Sequence, residues 1–268
     1  MFKTPSAKLG SIIVLGFVLL AIIGPLVYAY SPSTPSRSQN QPPTLSHPLG
    51  TDNLGHDILS QTMWGARSSI FVGVSAAAGA AILGLLIGVI AGYYDKLESF
   101  FTGMADIIMT FPALPLLILV GTIYVTTDTL IILMLILVLW PPIARASRSQ
   151  ILTVKKLPYV EAAKTGGSRD WQIISQILIP EIASIVTAYF VLTVAGAIVI
   201  VAALEFLGVG NPNIVNWGSM LYWAQQFAFY LGDWWWILAP GLSITLLATG
   251  FALVGFSVEE AMNPRLRE

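Results

Sequence analysis

Apolar residues run through this chain in long blocks that charge rarely interrupts, and the gaps between charges predict its elements. No Asp, Glu, Lys or Arg occurs in 9–36, 68–94, 107–127, 129–144, 182–204, 206–232 or 234–258. A helix needs about 20 apolar residues to cross hydrocarbon. Five blocks therefore predict membrane spans: Leu9–Tyr28, Ser69–Gly92, Ile107–Ile123, Ile182–Ala203 and Trp235–Phe256. Leu130–Ala146 is shorter but almost wholly apolar, and it predicts a sixth span ending near Pro141 and Pro142. The 206–232 block differs, because Gly208, Gly210, Asn211, Pro212, Asn213 and Asn216 favour turns, whose backbone groups would go unpaired in lipid. It predicts an external loop with a short amphipathic piece near Met220–Tyr230. Its Trp217, Tyr222, Trp223 and Tyr230 join Trp234–Trp236 in a headgroup belt.

Local signals refine these spans. Pro112 and Pro115 each remove a backbone donor and should kink the third. Gly84, Gly88 and Gly92 share one face of the second, where small residues let helices approach, and packing within this chain is expected there rather than a dimer seam. The apolar core of the first span is about 20 residues, longer than a signal-peptide core, and is read as a retained span. Ser31–Pro48 is rich in Ser, Pro, Gln and Asn and is expected to be extended and mobile outside the membrane. Gly55–Arg67 reads as an interfacial helix with Ile58, Leu59, Met63 and Trp64 toward lipid.

Composition agrees: 56% of residues are hydrophobic and 10% charged, too few charges for the hydrated exterior of a soluble domain. The net charge of −1 excludes a general nucleic-acid footprint, and the absence of Cys excludes disulfides and thiolate chemistry. What charge there is fixes orientation. Lys3, Lys8, Lys96, Arg145, Arg148, Lys155, Lys156, Lys164, Arg169, Arg265 and Arg267 fall on one side of six spans, and only Arg37 and Arg67 on the other. The basic side is expected to be cytoplasmic, with both termini and Ala144–Pro180 there and the 31–67 and 205–233 loops outside.

The segment from Ser147 to Pro180 mixes charge with apolar positions and predicts two short helices. Pro158 suits a first turn, Gly166 and Gly167 stop that helix, and Ser168 caps the next with Asp170 in its first turn. Trp171, Ile174 and Leu178 form a stripe flanked by Ile173 and Ile177, and Pro180 closes the helix. An apolar stripe outside the membrane calls for a partner protein to cover it.

Within this segment Glu161-Ala162-Ala163, three residues, Gly167, nine residues, then Ile177-x-Ile179-Pro180 resembles the EAA motif of permease subunits of binding-protein-dependent ABC importers; Ile179 stands where the family has Leu. Leu49–Ser60, Gly65-Ala66-Arg67-x-Ser69, Phe206–Gly210, Trp217–Leu221 and Asn263–Leu266 resemble the C-type subunit of the dipeptide/oligopeptide/nickel subfamily. There His56 replaces a usual Arg and Asn263 a usual Asp. The resemblance implies an all-α polytopic membrane protein with the six-helix type I importer permease fold. Residues 1–67 would form the N-terminal tail, first span and external loop, and 68–268 the core permease with its coupling loop at about 147–180. It implies a second homologous permease, two ATPase subunits and an external solute-binding protein as partners, with di- or oligopeptides as cargo. Oligosaccharide and nickel are the rival cargoes. It assigns ATPase coupling to Glu161, Ala162, Ala163, Gly167, Ile177 and Pro180, with Glu161 setting docking charge, Gly167 permitting the turn and Ile177 bracing it.

No G-x-x-x-x-G-K-[ST] occurs, so ATP and Mg are expected on partner subunits, with no cofactor in this chain. No catalytic residue is assigned, although a polytopic membrane enzyme and a passive scaffold are the readings from other classes. Asp106 is expected at the membrane interface starting its helix, and Glu205 and Asp233 as exposed loop charges. His47 and His56 are the only histidines, and Asp52 or Asp57 is read as a helix cap rather than a metal ligand, so no metal site is expected.

Overall fold

A computed structural model describes residues 4–28, 30–36, 38–124, 127–211 and 214–262. The predicted Asn263–Leu266 ending, Pro212 and Asn213, and the basic residues Lys3, Arg37, Arg265 and Arg267 lie outside them. The chain is built of helices: α1 Pro5–Val27, α2 Ile58–Tyr93, α3 Asp95–Thr110, α4 Ala113–Ile123, α5 Asp128–Val154, α6 Pro158–Thr165, α7 Asp170–Ile173, α8 Ile179–Phe206, α9 Trp217–Leu231 and α10 Trp234–Met262. A π turn, Ile174–Leu178, joins α7 to α8. Among the described residues, five continuous helical stretches are long and apolar enough to cross a membrane.

The expected third span, Ile107–Ile123, is broken rather than kinked. Helices α3 and α4 meet at 82°. Phe111 and Pro112 are both extended, ψ 134° and 121°. A residue before proline is pushed out of the helical region, so Phe111 ends α3 and Pro112 caps α4. With 11 residues, α4 is about 16 Å long, half the hydrocarbon thickness. Pro141 and Pro142, by contrast, do not end a helix; α5 runs on to Val154. The backbone bonds they forfeit are offset by burial of Trp140, Ile143 and Ala144 against α2.

Small residues set the centre of the bundle. A methyl group at Gly84 would lie 2.7 Å from Ile143 Cβ, at Gly88 2.5 Å from Ser147 Cβ, and at Gly92 2.8 Å from Ile151 Cβ. The three glycines therefore seat α2 on α5 of the same chain, the expected intrachain packing. Helix α2 also packs on α8, α10 lies along α8, and α1 closes the side of α10. Thr4 Oγ1 donates to Ser257 Oγ at 3.4 Å, bringing the start of α1 beside the last turns of α10.

The bundle has two differentiated ends. At one, α6 and α7 form an elbow beyond α2 and α5. At the other, α9 and the loop before α2 form a cap. That loop is folded, against expectation. Ser36 N–H donates to Gly55 O at 2.8 Å, Asn40 N–H to Asp52 O and Thr51 N–H to Gln41 O, both at 3.0 Å. The backbone pairing satisfies what composition alone leaves loose. Nor is Gly55–Arg67 a separate interfacial helix: it supplies the first turns of the 36-residue α2, and Ile58 is fully buried. The aromatic belt divides too. Trp217 and Trp236 are core residues, while Trp223, Tyr230 and Trp234 are exposed.

Candidate functional site

The elbow begins with Pro158 in the first turn of α6 and ends in a Schellman closure. Gly167 N–H donates to Lys164 O at 3.1 Å and Ser168 N–H to Ala163 O at 3.0 Å, with Gly167 at φ +83°. A side chain at Gly167 would meet open space, so the positive φ is what asks for glycine. The next helix is capped at Arg169, not at Ser168: the Gln172 side chain accepts from Arg169 N–H at 2.9 Å.

Pro180 does not close this helix. Lacking an N–H, it cannot bond to Gln176 O, and the chain widens ahead of it, with Ile179 N–H donating to Ile174 O. The widened turn lets Asp170–Phe206 run as one 37-residue stretch. The elbow is thus a rigid extension of α8.

The apolar stripe also faces differently from expectation. Ile173, Leu178 and Ile182 are buried with Val160, Val89, Ile151 and Val154, while Trp171 is 59% exposed. The chain covers its own stripe with the ends of α2 and α5, so no partner is needed for that. Of the residues assigned to coupling, Ile177 and Ala163 pack against this cluster, and Glu161, Ala162, Gly167 and Pro180 are exposed. Tyr93, at the last position of α2, touches both arms: its hydroxyl donates to Asp170 Oδ1 at 2.7 Å, and Lys164 Nζ lies 5.0 Å from its ring centre. Asp106 does not start a helix; it sits within α3 and pairs with Arg145, beside the pairs Glu98–Arg148 and Asp95–Lys155.

The cap holds two acid–histidine pairs, each built on a buried acid. Asp57 caps α2, accepting from Ser60 N–H at 2.7 Å, and its other oxygen meets His47 Nδ1 at 2.7 Å and the Tyr28 hydroxyl at 3.2 Å. Asp52 is no cap. Its Oδ1 accepts from Leu54 and His56 N–H at 2.9 and 2.8 Å, and its Oδ2 meets His56 Nδ1 at 3.0 Å and Gln61 Nε2 at 2.7 Å.

Beneath α9 lies a cavity of about 590 Å³, lined by residues that include Asp52, His56, Gln61, Glu205, Tyr222, Trp223 and Trp236. Glu205 and Asp233, expected as exposed loop charges, are buried at 4% and 3% exposure. Burial holds the Asp233 carboxyl above the usual carboxylate range. Sequence reading missed this cavity, yet a signal existed. Ile198, Val201, Ala202 and Glu205 fall at helical spacing on the buried face of α8.

Comparison with known proteins agrees with this architecture. Residues 84–268 match the family of binding-protein-dependent transport system inner membrane components, and residues 1–43 the N-terminal transmembrane domain of oligopeptide transport permease C. Among curated relatives, a putative peptide transport system permease protein of Brucella suis is 32% identical over 100% of this chain and 90% of its own length. The dipeptide transport system permease protein DppC of Bacillus subtilis is 33% identical over 99% and 83%. The oligopeptide permease OppC of the same species is 32% identical over 98% and 86%. The solved methionine ABC transporter MetNI, in an inward-facing form, contains a chain that superposes with TM-score 0.59 over 76% of this chain and 96% of that one, at 17% identity, a likeness of fold. With a multi-pass helical bundle and this family match over most of its length, the chain belongs to the binding-protein-dependent transport system inner membrane components and is a permease subunit of an ABC importer.

Proposed function

We propose that this chain forms half of the translocation pathway of an ATP-driven importer of di- and oligopeptides, beside a second homologous permease. The elbow end and both termini lie in the cytoplasm, as the clustering of basic residues supports, and the cap faces outward toward a solute-binding protein. Two separate ATPase subunits bind ATP and Mg, this chain having no phosphate-cradling loop. The relatives named for dipeptide and oligopeptide transport support the cargo class.

The observation that carries the coupling is the elbow, an exposed tip whose base continues into the longest apolar stretch of the chain. Glu161 offers an exposed carboxylate to a docking groove, Ala162 and Ala163 keep the surface low, and Gly167 makes the turn between the arms. Ile177 braces the elbow in the core, and Pro180 sits where the widened turn hands motion to α8. A push on the elbow by closing ATPases then tilts α8, about 55 Å from tip to cap with its extension, as one lever.

The test is reconstitution in nanodiscs with the second permease, the ATPases and the binding protein. Short peptides should stimulate ATP hydrolysis. Stimulation by oligosaccharides or nickel and not by peptides would replace the cargo class, and a chain that retains no ATPase on purification would overturn the coupling role.

A further inference from the structure

Two cap carboxylates, Glu205 and Asp233, carry a buried oxygen without a hydrogen bond among the described residues, and of the two Glu205 lines the cavity. Glu205 is 4% exposed, and its Oε2 is buried without a hydrogen bond among the described residues. A buried acid normally has its oxygens satisfied, because desolvating a carboxylate is expensive. Asp52, on the same cavity wall, shows the normal state, with two donors on each oxygen.

The surroundings are shaped around Glu205. A methyl group at Gly218 would stand 2.5 Å from its Cβ and 2.7 Å from Oε2, and one at Gly210 would stand 3.0 Å from its Cγ. Two glycines thus leave room for this side chain. Gly218 lies in the first turn of α9, whose positive end favours an ionised carboxylate beside it.

The cavity supplies the other elements of recognition. Among the described residues no Lys or Arg lines it, and its aromatic walls include Tyr222 and Trp223, whose ring faces attract organic cations. Trp236 also lines it, and its indole N–H is buried without an acceptor among the described residues. An unpaired acceptor and an unpaired donor in one cavity match a ligand bearing both an ammonium group and a carbonyl. A bare metal ion does not fit, since no group of three His, Asp or Glu ligands is assembled among the described residues. A volume of about 590 Å³ is that of a small-molecule site.

We infer that the cap cavity binds the protonated amino terminus of a short peptide, with Glu205 as the counter-charge and Trp236 Nε1 as donor to a peptide carbonyl. This rests on the peptide reading above and adds a subsite to it.

The test uses the permease pair with its ATPases in nanodiscs, without the binding protein, so that the latter's own selection is absent. Equilibrium dialysis compares radiolabelled tri-alanine with N-acetyl-tri-alanine. Wild type should favour the free amine by about tenfold, as expected for a charge-assisted hydrogen bond. Glu205→Gln, which keeps size, should abolish that preference and leave the acetylated peptide's affinity unchanged. Equal affinities in wild type, no binding of either probe, or a preference that survives in Glu205→Gln each overturn the inference. The wild-type comparison stands alone if the variant does not assemble. Uptake of tri-alanine in the complete system with its binding protein separates the two claims. Uptake without a Glu205-dependent amine preference sinks the subsite and keeps the peptide reading, and no uptake of any peptide sinks both.

Discussion

The elbow end and the cap end spend their charges in opposite ways. At the elbow end, Asp95, Glu98 and Asp106 of α3 meet Lys155, which caps α5, and Arg148 and Arg145 within it, and the Arg145–Asp106 pair is about half exposed on both sides. Exposed pairs contribute little and exchange easily with water. At the cap, Asp52, Asp57, Glu205 and Asp233 are all buried. Two of these acids are held by histidines and backbone donors in networks that fix one geometry. On the proposed coupling, an end that meets and releases a driving partner would be well served by the first arrangement. An end that must keep a cavity open in a defined shape is served by the second.

Three substitutions probe this contrast. Trp217→Ala should have the largest effect. The ring is fully buried, donates to Thr62 O at 3.0 Å and stacks edge-on with Phe17 at 5.5 Å, so its loss should cost about 3–5 kcal/mol. Thermal unfolding in detergent should show it, and a small shift would mean that the cap is not rigid. Gly167→Val should come next. Open space surrounds the position, so the cost is the left-handed backbone alone, about 1–2 kcal/mol, confined to the elbow. Substrate-stimulated ATPase activity should fall while assembly and global melting hold, and unchanged stimulation would remove Gly167 from the coupling path. Arg145→Gln should be smallest, below about 1 kcal/mol and fading with added salt. A large, salt-independent loss would make the elbow end as rigid as the cap and erase the contrast.

The same contrast explains what could be read in advance. The spans follow from blocks without charge. The elbow follows from local signals, Pro158, Gly167 and Asp170, each acting within one turn of itself. The break at Phe111–Pro112 was half legible, since proline predicts a bend but not 82°. The cap was illegible because its order is long-range. His47 meets Asp57 across ten residues, and Trp217 meets Thr62 across 155. The burial of Glu205 depends on Gly218 and Gly210, which the sequence presents only as turn residues. Likewise the elbow's stripe faces Val89 and Ile151, two helices that no periodicity within the loop could point to.

Helix α2 is about 54 Å long, well beyond the hydrocarbon thickness. Its first turn is held by Asp57, and its last residue, Tyr93, grips both arms of the elbow. A single rod therefore has one end in each chemistry. Thermodynamic reciprocity then applies. If occupying the cap changes the elbow's affinity for a partner, occupying the elbow changes the cap's affinity for its ligand by the same factor. The coupling between the two sites is then one quantity, measurable from either end of α2.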